Sequence, residues 1–183
     1  MRYFFGFLVT ILLIVTLIFL IFHGSGDKKV PSTTKALTSY SATDAEVSMT
    51  IDGPINANSQ HQELRITVSR DNVTFEEFNG YDGSVTKHSS YDNTQTAYDN
   101  FLHAIEGVGF TQGNTDKAVA DETGVCPLGS RFIFKLTQDN IDIERFWAST
   151  CGPKTYQGRL DATIQLFENQ VPDYSTQVAD FSY

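Results

Sequence analysis

Cys126 and Cys151 are the two residues whose chemistry is easiest to read. Twenty-four residues separate them. A redox dithiol is usually C-x-x-C, and a zinc site needs two more ligands at close spacing. Neither pattern occurs. Their midpoint falls between residues 138 and 139, on a predicted hairpin turn. Residues equidistant from such a turn end up side by side at its open end, so the spacing predicts a structural disulfide. In the chain-entropy picture a loop of that size contributes about 3–4 kcal/mol.

Other reactive patterns do not assemble. Ser84-Val85-Thr86-Lys87 matches S-x-x-K, but that chemistry needs Ser and Lys one helical turn apart, with S-D-N and K-T-G elements. Here the segment reads as a strand and both other elements are missing. Gly107-Val108-Gly109 lacks the third glycine of a dinucleotide loop and follows a helix instead of opening one. Asp121-Glu122-Thr123-Gly124 is not the D-T-G of aspartic proteases, because Glu122 intervenes. Among His23, His61, His88 and His103 there is no H-x-x-x-H or H-E-x-x-H spacing. His88 and His103 converge only if the fourth strand packs beside the helix. The adjacent acids Glu76-Glu77 and Asp121-Glu122 point to opposite faces of a strand. No catalytic, metal-ligating or cofactor-binding set emerges.

One position breaks the apolar pattern. Arg145 shares parity with Ile141, Ile143 and Trp147, so it needs a buried acidic partner or a bulge that re-aims it. With Trp147 and Tyr81 it forms the candidate binding patch of the chain.

Alternation and turn chemistry define the elements that must position these residues. Val47, Met49 and Ile51 alternate with polar residues and stop at Gly53-Pro54; Leu64, Ile66 and Val68 repeat the pattern. Asp71-Asn72 reads as a two-residue turn that sets Val68 against Phe75, with Arg65 and Arg70 near Glu76 and Glu77. Gly80–Gly83 turns the chain into a fourth strand, 84–91. Tyr98, Phe101, Leu102 and Ile105 form a helical stripe, capped by Asn93 or Thr94 and ended by a left-handed Gly107. Strands 131–137 and 141–149 flank a turn at Asp139-Asn140 or Gln138-Asp139. Leu160, Ile164 and Phe167 predict a last helix before Pro172. The fold class is therefore α+β: an antiparallel sheet of about six strands, order ββββαββα, with both helices on one face.

The nineteen residues Phe4–Phe22 carry no charge and no proline. As a helix they span roughly 28 Å, close to a bilayer's hydrocarbon core. The run is too long for a cleaved signal and lacks an A-x-A site. Residues 1–23 thus read as a transmembrane signal-anchor, 24–45 as a flexible tether rich in Gly, Ser, Thr and Lys, 46–174 as one domain and 175–183 as a tail. Lys28, Lys29 and Lys35 after the span favour a cytoplasmic domain. The short N-terminal tail and the disulfide, which needs an oxidising compartment, favour a domain outside the cytoplasm.

With 13 basic and 22 acidic side chains the net charge is −9, which disfavours nucleic acid as a partner. Thr123-Gly124-Val125-Cys126-Pro127, Phe146–Gly152, Leu166-Phe167 and Val171–Tyr174 together resemble uncharacterised single-pass proteins of candidate-phylum bacteria such as Saccharibacteria. The resemblance implies a bacterial cell-surface setting and supplies no activity to carry over. The expectation is a membrane-anchored, extracytoplasmic binding domain for a protein or cell-envelope ligand. An enzyme with a non-local Asp/Glu/His site and a structural subunit of an envelope complex are the alternatives.

Overall fold

The computed structural model describes residues 35–181. The expected anchor and the first half of the tether, 24–34, lie outside the described residues. Among the described residues no helix is long and apolar enough to cross a membrane.

Six strands form one antiparallel sheet: β1 (Glu46–Asp52), β2 (Gln62–Val68), β3 (Asn72–Asn79), β4 (Ser84–Asp92), β5 (Arg131–Gln138) and β6 (Ile141–Ser149), in the order β4-β3-β2-β1-β5-β6. Helix α1 (Gln95–Gly107) links β4 to β5; α2 (Leu160–Glu168) and the single turn α3 (Tyr174–Gln177) follow β6. The expected class and element order hold.

Strict alternation along β1 sends Val47, Met49 and Ile51 to one face, where their cross-strand partners are also apolar. The rung Phe75–Ile66–Met49–Phe134–Phe146 crosses five strands. Both main helices cover this face in a single core. Phe101 of α1 and Phe167 of α2 meet edge to face at 5.2 Å. Tyr98 is buried and donates its hydroxyl to the Ala45 carbonyl at 2.9 Å; burial raises its pKa.

Four local expectations are corrected. The β2–β3 turn is Arg70-Asp71, closed by Ser69 and Asn72, so Val68 faces Val73, and Phe75 faces Ile66. A two-residue slip keeps every side chain on its expected face. Arg65 stands opposite Glu76 as expected, but its ion pair is with Glu63 on its own strand, and Arg70 pairs with Asp44 and Asp71 instead of Glu76 or Glu77. The left-handed residue after α1 is Gly109 (φ 88°), not Gly107. The amides of Gly109 and Phe110 bond the carbonyls of Glu106 and Ile105, which completes a Schellman cap with Phe110 buried beneath it.

The domain also extends beyond its expected limits of 46–174. Leu37, Tyr40 and Ala45 are buried, and the Leu37 amide bonds Glu106 at 3.0 Å, so the described end of the 24–45 tether belongs to the core. Val178 and Phe181, assigned to the tail, pack against the same core.

Candidate functional site

The face of the sheet away from the helices is polar. Its rungs read Asp52–Glu63–Phe78, then Thr50–Arg65–Glu76, then Ser48–Thr67–Thr74, with Lys135, Thr137 and Asp142 continuing across β5 and β6. An antiparallel sheet can leave one face to water, and this one does except where the loop 119–122 lies over Arg145 and Trp147. A cavity of about 440 Å³ lies over Ser48, Thr67, Thr74, Glu76 and Lys135. A second, about 380 Å³, lies at the Asp52 end over His61, Glu63, Phe78 and Tyr81. Arg65 lines both, so the two adjoin at its side chain and are together termed the groove. Each is within the usual size of a small-ligand site.

The Asp52 end is the most constructed part. Arg131 is 2% exposed and grips Asp52 through Nε at 2.9 Å and Nη2 at 2.8 Å. Its remaining donors meet the carbonyls of Val125 and Gly53. Asp52 in turn lies 3.3 Å from Nε2 of the buried His61, whose Nδ1 faces the Pro54 carbonyl at 3.2 Å. The Tyr81 ring stacks on His61 at 4.0 Å. Glu63 reaches Arg65 at 2.6 Å. Burial pushes its carboxyl above the usual range, against the pull of the Arg65 guanidinium.

The expected patch of Arg145, Trp147 and Tyr81 is not one site. Arg145 and Trp147 lie together on the polar face, because a bulge between Leu136 and Thr137 in the β5–β6 pairing reverses the parity read from Ile141 and Ile143. There they hold down the preceding loop. Arg145 Nη2 sits 2.6 Å from both Glu122 oxygens, and its Nη1 bonds the Ala120 carbonyl. Trp147 is buried and donates to the Val119 carbonyl at 3.0 Å. Both alternatives raised for Arg145, an acidic partner and a bulge, are therefore present. Only Tyr81 lines the groove.

Cys126 and Cys151 are bonded, with Cα atoms 5.5 Å apart. Equidistance from the turn is not what joins them. Arg131 opposite Ser149 sets a pairing axis that would place Gly129 against Cys151. A tight turn closed by the Gly129 amide on the Cys126 carbonyl swings Cys126 back over the strand end. A side chain at Gly129 would strike the Thr150 hydroxyl and Cys126 sulfur at 2.2 and 2.7 Å.

His88 and His103 do not converge. His88 meets Glu76 on the polar face, whereas His103 is exposed on α1, in the layer beyond the opposite face. Ser84 bonds Asp82 while Lys87 turns to Glu77 and the Gln177 carbonyl, so the S-x-x-K pair does not meet. Among the described residues no group of three or more His, Cys, Asp or Glu is disposed to hold a metal. The site's main members, His61, Asp52 and Arg131, escaped sequence reading because the long-range β1–β5 pairing sets Asp52 opposite Arg131 and the loop 53–61 returns His61 to Asp52. No protein-family model matches the chain, and no curated protein matches it either.

Proposed function

We propose that this chain is a membrane-tethered, extracytoplasmic binding domain of the bacterial cell envelope, whose ligand docks in the polar groove on the uncovered sheet face. The carrying observation is the asymmetry of the sheet: both helices cover one face, and the other carries two cavities that adjoin at Arg65, one reaching to Tyr81 and the other to Asp142. The disulfide supports an oxidising compartment, and the apolar run 4–22 supplies the attachment. The built Asp52 end of the groove, where Arg131 is held by Asp52, Val125 and Gly53, favours recognition.

A photo-crosslinking residue at Thr67, in the groove, tests this on intact cells. An envelope component should be captured from Thr67 and lost when Arg65→Ala is added, with none captured from Leu128, which is 91% exposed outside the groove. Equal capture from both positions would refute the groove. Protease added outside should remove the domain; complete protection in intact cells would place it in the cytoplasm.

A further inference from the structure

Tyr81 is an exposed aromatic ring that is nevertheless fixed. One face stacks on His61, nearly parallel at 14°. Its hydroxyl accepts from the Asn56 amide and donates to the Asn56 carbonyl, both at 3.1 Å, and its own amide donates to Asn58 at 2.8 Å. Beneath it run His61, Asp52 and the buried Arg131 in series. Despite these restraints Tyr81 stays 54% exposed. A rigid platform loses little freedom on binding, which is what preorganisation requires.

The surroundings narrow what can lie on that platform. Beside the ring stand the planar carboxylate of Glu63 and the guanidinium of Arg65, which also lies over the Phe78 ring at 4.9 Å. Along β1 to β3 follow the hydroxyls of Thr50, Ser48, Thr67 and Thr74. An apolar side chain on Tyr81 would strip water from these polar groups and offer them no hydrogen bond in return, which binding sites penalise. A phosphate-bearing base would meet Glu63, Glu76, Glu46 and Asp142 in a chain of net charge −9. The fitting ligand has a flat apolar face and a rim of uncharged donors and acceptors. That is a pyranose ring.

Resting on the groove reading above, we infer that the groove binds a neutral glycan, with one sugar ring on Tyr81 and the chain continuing over Arg65 towards Ser48 and Thr74. The seven residues of β1 give a track of roughly 20 Å, long enough for an oligosaccharide.

The test uses the full chain in lipid nanodiscs, free of glycoside detergent, titrated calorimetrically with cellotetraose, maltotetraose, chitotetraose and mannotetraose, and with a lysine-rich decapeptide. At least one tetrasaccharide should bind. Tyr81→Ala should weaken it by about tenfold or more, the scale of one lost aromatic contact. Tyr81→Phe, which keeps the ring but loses both Asn56 contacts, should fall between Tyr81→Ala and the parent, and Leu128→Ser should not differ from the parent. Should Tyr81→Ala misfold, Arg65→Lys serves instead: it keeps the charge, removes the planar fork and should also weaken binding. No binding of any tetrasaccharide, or binding indifferent to Tyr81→Ala and Arg65→Lys, overturns the glycan. If the peptide alone binds, or Thr67 still crosslinks, the groove survives without a sugar. Loss of the Thr67 crosslink as well defeats both.

Discussion

Arg131 and Asp52 form a buried, two-contact ion pair across β5 and β1, and His61 and Tyr81 are stacked outward from it. Breaking a buried pair from one side costs more than the pair itself contributes, because a charge is left uncompensated. Arg131→Leu should therefore lose about 3–5 kcal/mol and lower Tm by roughly 10 °C. Thermal unfolding checks this. It should also loosen Tyr81, visible as faster exchange of the Tyr81 amide.

Reduction of Cys126–Cys151 should cost about 3.5 kcal/mol by loop-closure entropy, seen as a lower urea midpoint. In intact protein without reductant, thiol reagents should label neither cysteine. The Cys126→Ala, Cys151→Ala pair should reproduce the reduced midpoint.

Glu63 supplies a pH signature. Burial raises its folded-state pKa above 4.5, so its contribution to stability is fully present below that value. The contribution is lost as pH rises through the folded pKa. Glu63→Gln removes this loss. The stability difference between variant and parent should grow in the variant's favour from about pH 4.5 upward, measured by urea unfolding across that range. A difference that shrinks with rising pH would contradict the assignment.

Arg145 should prove to be a clamp on the loop and no part of the groove. Arg145→Ala removes both Glu122 contacts and the Ala120 bond, a local loss of about 1–3 kcal/mol. Hydrogen exchange should accelerate across residues 116–122, while crosslinking from Thr67 stays as in the parent.

Gly109→Ala tests the Schellman cap. A Cβ at φ 88° is strained and would meet the Gln112 side chain at 3.0 Å and the Gly158 Cα at 3.1 Å. The expected cost is about 1–2 kcal/mol, read from chemical denaturation. Gly107→Ala, at a helical position with open space around it, should be neutral or slightly stabilising.

Period and turn chemistry, both local, were enough to specify the α+β class, the six strands and the two main helices; the cysteine pair was legible because the chain has only two cysteines and no C-x-x-C. Val47–Ile51 alternates whatever surrounds it, and Asp139-Asn140 takes positive φ as a pair. The β5–β6 bulge, the backward turn at Cys126, the burial of Leu37 and the packing of Phe181 against the core were not legible. Each depends on which surfaces meet after the sheet forms. The same holds for the groove: Arg131, Asp52, His61 and Tyr81 sit far apart in the chain, and only tertiary packing decides that one charge fixes the next. Sequence alone marked Tyr81 as a candidate; long-range ion pairing and stacking decided what stands beside it.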